Sequence, residues 1–406
     1  MSKMYQKGYK KWMLIISLLA LNIMEQAAGA ISATIPQMAK AFPGYSLVQV
    51  ELSTTVVSIF VTIFVLTSGF ITTKIGQKQT ALLGMTIATI AALIPAFANS
   101  LILVIISRAI MGIGIGLANP LAISLISEFF TDEARANLLG WRSSIAALGV
   151  AFMTFGAGHL LEISWHAAYL VYLLFIPALI LFYIFVPEPE KYGVRAKAEA
   201  IAAKKSHEPE HKAGLLVVLG LTLVLFLYMV TFMIAYIKIA TLYVQQGIGT
   251  PTQASTALSV LNISQLISGA LFGPLYKVLH EKILYLGMFA TALPLIGMAM
   301  TTNGNLILLL FVVIGAIGGL ALPYFFIKIS DVTTTKNAPL FNGIVLVGSN
   351  LGSFAAPFYG QILGGGTTAA IAFRNGGIAL VVLTVLVMLV MEVLKHMHKS
   401  PGKAEV

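Results

Sequence analysis

Residues 116–140 read GLANPLAISLISEFFTDEARANLLG, and residues 319–343 read GLALPYFFIKISDVTTTKNAPLFNG. The two stretches lie 203 residues apart, which is half of the 406-residue chain. The matched positions include Pro120 with Pro323, Ser127-Glu128 with Ser330-Asp331, and Gly140 with Gly343. A repeat over half the length of the chain predicts two halves that share one helical architecture.

The composition places this architecture in a membrane. Hydrophobic residues make up 58% of the chain and charged residues only 10%, whereas soluble domains carry about 25% charged residues. A spanning helix needs about 20 mostly apolar residues, and twelve stretches meet this requirement. We therefore predict an all-α membrane protein with twelve transmembrane helices in two pseudo-symmetric six-helix halves. The predicted spans are residues 12–35, 50–72, 79–98, 101–127, 139–162 and 166–186, followed by 214–243, 253–276, 283–301, 305–329, 340–363 and 369–393.

The only long polar segment runs from Pro187 to Lys212 and mixes Lys, Arg and Glu with Ala. A charged segment of this kind is typical of a solvated linker. It divides the chain into an N-terminal six-helix half at residues 1–187, a cytoplasmic linker at 188–212 and a C-terminal six-helix half at 213–406.

Lysine and arginine are distributed unequally between the two sets of alternate loops. Twenty-one of them fall in the loops and termini on one side of the predicted spans, and only Lys40 and Arg374 fall on the other. Because positively charged loops remain in the cytoplasm, we expect both termini there, in a multi-pass protein of the cell membrane (the inner membrane of a bacterium). The asymmetry also explains the net charge of +10 without a nucleic-acid partner.

Several kinds of site are disfavoured by what the sequence lacks. There is no cysteine for a disulfide, a thiolate metal site or a cysteine nucleophile. Gly112, Gly114 and Gly116 lack the strand before them and the Lys-Ser or Lys-Thr after them that a phosphate loop requires, so we expect them to pack helices closely. A membrane-embedded enzyme would need convergent catalytic groups, for which His159 with Glu162 is the only candidate. We therefore expect no enzyme, no cofactor and no bound metal.

The loop after the second predicted span carries a motif. It reads Gly69-Phe70-Ile71-Thr72-Thr73-Lys74-Ile75-Gly76-Gln77-Lys78. At Gly69, Lys74, Gly76 and Lys78 it resembles the Gly-x-x-x-Asp-Arg-x-Gly-Arg-Lys pattern of the major facilitator superfamily. The resemblance implies a twelve-helix transporter fold and a cytoplasmic gate at these four residues. Thr73 stands where the family pattern has aspartate, which removes the charge of that position.

The fourth predicted span carries a second motif, Arg108-Ala109-Ile110-Met111-Gly112-Ile113-Gly114. It is similar to the Arg-x-x-x-Gly-x-Gly pattern of the superfamily in the same helix, and in the drug:H+ antiporter branch of the superfamily this arginine is associated with proton coupling. The fifth span has Gly149, Gly156 and Gly158 but no proline, so the Gly-Pro-x-x-Gly-Gly signature of these antiporters is incomplete.

Glu25 is the one acid that lies deep inside a predicted span. A charge near the bilayer centre costs about 2.5–3.5 kcal/mol, so it usually faces a cavity and has a partner. Counted along straight helices, Glu25 and Arg108 lie at nearly the same depth. Because spans one and four are neighbours in the family that the chain resembles, we expect Glu25 and Arg108 to form a pair that couples protonation to conformation. The alternative is a fixed ion pair that only orients two helices.

Other residues are candidates for the substrate cavity, and each has a structural alternative. Interhelical hydrogen bonding is the alternative for the amides, and ordinary packing is the alternative for the aromatic residues, which recur every four positions. For Lys238, near the end of span seven, snorkelling to the surface is the favoured interpretation. The cavity candidates are Asn22, Gln26, Tyr228, Phe232, Tyr236, Asn262, Gln265 and Asn350.

These features predict secondary active transport by alternating access. We expect proton-coupled export of small amphiphilic or drug-like compounds, as in multidrug antiport. We expect the protein to act as a monomer, with a small-molecule substrate, protons and the lipid bilayer as its partners. The alternative is an importer or exchanger of organic anions or nutrients, in which Arg108 and Lys238 bind the anion.

Overall fold

Helices make up almost all of the chain that the computed structural model describes, which is residues 9–130, 132–189, 214–332 and 338–398. Helix α1 is broken into Tyr9–Met24 and Ala27–Ala41, which are bent by 45° relative to each other. The other helices of the N-terminal half are α2 (Leu47–Ile75), α3 (Gln77–Phe97), α4 (Leu101–Phe129), α5 (Asp132–Leu160) and α6 (Trp165–Phe185). Those of the C-terminal half are α7 (Gly214–Gln245), α8 (Pro251–Leu279), α9 (Lys282–Ala299), α10 (Gly304–Ala316, continued by Ala321–Val332), α11 (Ala338–Gly360) and α12 (Ala369–His398).

The prediction of an all-α membrane protein is confirmed. Ten of these helices are long and apolar enough to span a membrane, and α1 is the eleventh if its two pieces count as one span. Helix α11 lies at the position of the predicted span 340–363 and is not among those eleven. The described residues contain no strand. Residues 190–213 lie outside the described part of the chain, so the linker at 188–212 stays a prediction.

The helix starts and turns define two ends of the bundle. Ser46 and Thr250 are the N-caps of α2 and α8, and each exchanges hydrogen bonds with the glutamine three residues later, Gln49 or Gln253. Gly76, with a φ of +86°, turns the chain between α2 and α3. We call the end with Gly76 the lysine-rich end, and the end with Ser46 and Thr250 the opposite end.

Glycines bring α4 close to its neighbours, as the sequence predicts. A Cβ on Gly112 would lie 2.5 Å from the carbonyl oxygen of Val57 in α2, and Gly114 makes a similarly close approach to α3. In the other half, a Cβ on Gly315 of α10 would lie 2.5 Å from the carbonyl oxygen of Leu261 in α8. Small residues let helix backbones approach closely in membranes. Helices α4 and α10 therefore pack in equivalent ways, which agrees with the sequence repeat.

Two seams join the halves. Helix α5 packs against α8 along one seam, and α2 packs against α11 along the other, while α1 also touches α7. Within the halves, α1 packs against α5 in the same way as α7 packs against α11. Side chains on the helices that form these seams are therefore placed to respond when one half moves relative to the other.

Candidate functional site

Glu25 forms an ion pair within the N-terminal half. Its Oε1 lies 2.7 Å from Nη2 of Arg142 in α5, and the same nitrogen donates to Oδ1 of Asn119 in α4 at 3.0 Å. The Glu25 and Arg142 side chains are 22% and 13% exposed. Three helices thus contribute one residue each to a polar cluster that solvent or a solute reaches only in part.

The predicted pairing of Glu25 with Arg108 is wrong. Arg142 is the partner of Glu25, and its place among the basic residues of the loops is also wrong, because it lies ten residues inside α5. Arg108 does reach α1, but its Nη2 donates to the carbonyl oxygen of Ala28, three residues beyond Glu25. The depth estimate assumed a straight α-helix, whereas α1 is bent and contains 3₁₀ turns at Leu21–Met24 and Ala27–Thr34, which rise about 2.0 Å per residue.

Arg108 is fully buried and bonds to main-chain and hydroxyl oxygens. Its Nε donates to the carbonyl oxygen of Ser53 at 3.0 Å, and its Nη1 donates to the hydroxyl of Tyr172 at 2.9 Å. The Tyr172 hydroxyl in turn donates to the carbonyl oxygen of Ala27. The arginine therefore satisfies backbone acceptors of the broken helix α1, which would be costly to leave unpaired in a membrane.

Glu51 and Lys238 form a second ion pair, and this one joins the two halves. Lys238 Nζ in α7 donates to Glu51 Oε1 in α2 at 2.7 Å, and the side chains are 1% and 0% exposed. Two sequence interpretations are corrected by this contact. Glu25 is not the only acid buried within a span, because Glu51, at the start of the predicted span 50–72, lies one turn inside α2 and is fully buried. Lys238 does not snorkel, because the carboxylate of the other half holds its ammonium group inside the bundle.

Hydroxyl groups accompany this ion pair along both helices. Thr54 and Thr55 lie one turn after Glu51 on the same face of α2, and Thr241 lies one turn after Lys238 on α7. The three threonines are buried. Within the described residues, neither their hydroxyls nor the second carboxylate oxygen of Glu51 has a hydrogen-bond partner. The ion pair is therefore surrounded by hydroxyl and carboxylate oxygens that could form further hydrogen bonds.

Polar contacts also join the two halves at the seam between α5 and α8, near the opposite end. Thr252 Oγ1 in α8 donates to the carbonyl oxygen of Gly158 in α5 at 2.8 Å, and Ser255 Oγ donates to the carbonyl oxygen of Thr154. These contacts hold α5 against α8 at this end, and the Glu51–Lys238 pair joins α2 to α7.

The aromatic residues of α7 pack inside the C-terminal half. The Tyr228 hydroxyl contacts Thr291 Oγ1 and donates to the carbonyl oxygen of Gly318, both at 3.1 Å. Tyr228 and Phe232 are buried and stacked on each other. The hydroxyl of Tyr228 therefore faces its own half, and a role of Tyr228 and Phe232 in lining the cavity stays a prediction, because the helix period fixes their common face but not the direction in which that face points.

Tyr236 and Asn262 lie next to the other half of the molecule. The Tyr236 hydroxyl donates to Asn262 Oδ1 at 2.6 Å, and a Cβ on Gly29 of α1 would lie 3.4 Å from the Tyr236 ring. Both residues are almost fully buried. Their contact with α1 places them beside the interface between the halves, and a direct role in solute binding stays a prediction.

The other predicted cavity residues differ in their surroundings. The Asn22 side chain is buried and its amide nitrogen donates to the carbonyl oxygens of Leu18 and Leu19 in its own helix, so its place in the cavity stays a prediction. Gln26 is exposed, and Gln265 and Asn350 are partly exposed. These three amides remain candidates for contact with a solute.

The predicted gate motif ties the α2–α3 turn to its own half. Lys78 Nζ donates to the carbonyl oxygen of Tyr183 at the end of α6, and Lys74 Nζ lies 4.6 Å from the centre of the Phe70 ring. Gly69 has open space around its Cα. The contacts of this motif that the structure records are thus within the N-terminal half, and the gating role of Gly69, Lys74, Gly76 and Lys78 stays a prediction.

Several residues of the site were missed from the sequence alone. Glu51, Arg142 and Asn119 were not selected because they lie close to predicted span ends or carry no charge. The predicted spans 50–72 and 139–162 already contain Glu51 and Arg142, so the signal that could have found them is a charge inside a predicted span. Among the described residues, no group of three or more His, Cys, Asp and Glu side chains could hold a metal ion.

Comparisons with known proteins bear on the architecture. A family model described as Major Facilitator Superfamily matches residues 12–240 and 221–406. No curated protein sequence matches the chain.

Solved structures resemble the chain over almost its whole length. A POT family transporter in complex with a thioalcohol conjugated peptide has a TM-score of 0.73 at 13% identity, with 93% of this chain and 96% of that chain covered. A D-xylose-proton symporter has a TM-score of 0.66 at 15% identity, with 93% and 97% covered. The xylose transporter XylE from E. coli, in a partially occluded inward open conformation, has a TM-score of 0.70 at 15% identity, with 94% and 99% covered. At these identities the similarity concerns the fold alone.

Proposed function

Because the chain belongs to the Major Facilitator Superfamily, and is therefore a secondary active transporter and not an enzyme, we propose that it couples solute movement to protons through Glu51 and Lys238. The observation that carries this proposal is the buried 2.7 Å ion pair between the two halves. Alternating access requires the halves to rock against each other around the solute site, so this contact has to break when the opposite end opens.

Protonation provides a way to break the contact. Separating two buried charges leaves each without its partner, and the cost of an uncompensated buried charge is several kcal/mol. A proton on Glu51 removes its charge and weakens its hold on Lys238. The halves then part at the opposite end with one buried charge fewer. Arg108 does not serve this purpose, because its guanidinium stays protonated and its recorded partners are neutral oxygens and the thioether of Met111.

For the solute, we propose a small amphiphilic cation or drug-like compound that is exported in exchange for protons. Glu25 is the more exposed member of its ion pair. A small cavity beside it is lined by apolar side chains as well as by Asn119; the apolar residues are Leu21, Met24, Ile115 and Ala118. A carboxylate next to an apolar wall suits a ligand with one positive charge and a hydrophobic body. The motif at Arg108 resembles the drug:H+ antiporter branch and supports the same function.

A second candidate is uptake or exchange of organic anions or polar nutrients. It is favoured by Arg142, whose Nε is buried and has no hydrogen-bond partner in the described residues. An anion that binds Arg142 would compete with Glu25 for it. Solved structures of the same fold belong to a transporter in complex with a peptide and to a D-xylose-proton symporter, and these are polar solutes.

We further propose that the lysine-rich end faces the cytoplasm, in the cell membrane, and that the protein acts as a monomer. The distribution of Lys and Arg supports this orientation, because basic loops are retained on the cytoplasmic side. In that orientation, the Glu51–Lys238 pair and the polar contacts between α5 and α8 close the outer face.

The test is transport by purified protein in proteoliposomes with an imposed pH gradient. Wild type is compared with Glu51→Gln and Glu25→Gln, using a panel of cationic dyes and organic anions. Lys328→Met is the matched control, because Lys328 forms an ion pair with Glu281 at 3.2 Å that lies within one half. We expect Glu51→Gln to abolish accumulation driven by the gradient and Lys328→Met to retain it.

The solute panel separates the two candidate functions. Cation accumulation against the pH gradient that is lost in Glu25→Gln supports export of amphiphilic cations. Exchange of anions that survives in Glu25→Gln supports the second candidate. Gradient-driven transport that is unchanged in Glu51→Gln would contradict the coupling role of the Glu51–Lys238 pair.

A further inference from the structure

Helix α11 ends in an irregular turn beside Lys238. After Gly360, residues Gln361–Gly365 form a kinked turn in which Gly364 has a non-helical φ of +91°. Residues other than glycine rarely adopt this conformation. The turn brings Gly365 back towards Gly360, so that a Cβ on Gly365 would lie 2.5 Å from the Gly360 carbonyl oxygen.

The side chain of Lys238 crosses these two glycines. A Cβ on Gly360 would lie 2.7 Å from Lys238 Cε and 3.7 Å from both Cδ and Nζ, and a Cβ on Gly365 would lie 2.9 Å from the same Cε. The ammonium group beyond Cε is the one that contacts Glu51 at 2.7 Å. A methyl group at either position would have to displace the lysine from the place in which it pairs.

We infer that Gly360 and Gly365 are positioning residues of the coupling site and form a slot that aims Lys238 at Glu51. The inference rests on the coupling role proposed above. Helix α11 packs against α7, which carries Lys238, and against α2, which carries Glu51. The end of α11 therefore contacts Lys238 directly, and the helix as a whole packs against both helices that carry the pair.

Gly360 allows this role to be separated from ordinary packing. Its backbone has φ −59° and ψ −34°, which alanine adopts readily, and alanine is the better helix former. The three atoms nearest to an added Cβ all belong to Lys238. Alanine at this position is thus expected to disturb the lysine and to leave the helix itself intact. Gly365 is a less selective probe, because an added Cβ there would also meet the Gly360 carbonyl oxygen and Ala372.

The test compares Gly360→Ala with the matched variant Gly343→Ala. Gly343 lies in the same helix, and an added Cβ there would be 3.6 Å from Leu66 Cδ2, an ordinary contact. Both variants are made in the wild type and in Lys238→Ala, which lacks the side chain that crosses the slot.

The readout is the distance between the two halves at the opposite end. The sequence has no cysteine, so Gly44→Cys and Thr302→Cys introduce two spin labels without background. Both positions are exposed, and they lie in turns of different halves at the opposite end. Pulsed EPR of the full chain in nanodiscs, over a series of pH values, gives the fraction of molecules with this end open.

We expect Gly360→Ala to raise the open fraction by about tenfold, which corresponds to about 1.4 kcal/mol, and to weaken its pH dependence, as Glu51→Gln does. Gly343→Ala should match the wild type. In the Lys238→Ala background, Gly360→Ala should change nothing further. A merely structural role would not make the effect of Gly360→Ala depend on Lys238.

Three other outcomes are informative. If Gly360→Ala behaves like Gly343→Ala, or if its effect persists without the Lys238 side chain, the slot is refuted while the coupling role of Glu51 and Lys238 stands. If Gly360→Ala does not fold, recovery of folding in the double variant with Lys238→Ala supports the slot, and failure of that variant overturns it. If Glu51→Gln and Lys238→Ala leave both the distances and the proton-driven transport unchanged, the coupling role of the ion pair is refuted. The positioning role of Gly360 and Gly365, which depends on it, is then refuted as well.

Discussion

Lys238 Nζ lies 2.7 Å from Glu51 Oε1, and the two residues belong to helices of different halves, α7 and α2. Both side chains are almost completely buried, at 1% and 0% exposure. In the interior of a membrane bundle, each charge depends on the other, because neither has water to replace its partner. The contact therefore holds the halves together for as long as both groups are charged.

Replacing Lys238 with methionine should lower the free energy of unfolding by about 3–5 kcal/mol, because Glu51 would remain as a buried charge without a partner. The double variant Glu51→Gln/Lys238→Met should regain most of this loss, since neither charge remains. Thermal unfolding of the purified protein in detergent measures both effects. A double variant as unstable as Lys238→Met alone would show that the two residues are not energetically coupled.

Arg108→Lys should lower stability and leave proton coupling unchanged. Lysine keeps the charge but lacks the planar fork of donors that reaches Ala28, Ser53 and Tyr172. The loss of one such charged hydrogen bond costs about 1.5–3 kcal/mol. Unfolding and the pH dependence of transport are measured together, with Tyr172→Phe as a milder control. Full stability combined with lost proton dependence would instead make Arg108 the coupling residue that its motif suggests.

Arg142→Gln should separate the two classes of solute. Without the guanidinium, Glu25 is free to attract a cation, so binding of cationic dyes should be retained or strengthened. Binding of organic anions should weaken by about tenfold, or about 1.4 kcal/mol. Equilibrium binding to purified protein measures both. Asn119→Ala, which removes only the neutral member of the cluster, is the control, and equal losses for cations and anions in Arg142→Gln would show that the cluster is structural.

Gly158→Ala should open the seam between α5 and α8. An added Cβ would lie 2.5 Å from Ser255 Cβ and 2.6 Å from its hydroxyl oxygen, so the methyl group acts as a wedge between the halves. The spin-label distance at the opposite end should lengthen in a larger fraction of molecules. Gly156→Ala is the matched control, because its added Cβ would contact only Val171 of the same half, at 3.5 Å. Equal distances in the two variants would mean that this seam does not restrain the opposite end.

The sequence identified Glu25 correctly as a membrane-buried acid but gave it the wrong partner. The chosen arginine does touch α1, at Ala28, less than one helical turn from Glu25. Depth along a helix is readable from a sequence to within about one turn, because the rise per residue is nearly constant. The choice between two arginines at similar depths depends on the bend of α1 and on side-chain direction, and neither is encoded in spacing.

The aromatic residues of α7 also show what the spacing along a helix cannot predict. Its four-residue spacing correctly placed Tyr228, Phe232 and Tyr236 on one face. That face packs against the rest of the C-terminal half at Tyr228 and reaches the neighbourhood of α1 only at Tyr236. Periodicity gives the relative orientation of side chains on a helix, whereas packing decides the absolute orientation.

The sequence by itself determined the class of the molecule, the order of its spans and the relationship between its halves. Composition, apolar segment length and an internal repeat report directly on burial in lipid, and these quantities depend only on local stretches of chain. The tertiary structure alone decided which charges meet. The pairing of Glu51 with Lys238 joins residues 187 positions apart, and it depends on the packing of both α2 and α7 against α11, whose glycine-lined turn lies beside Lys238.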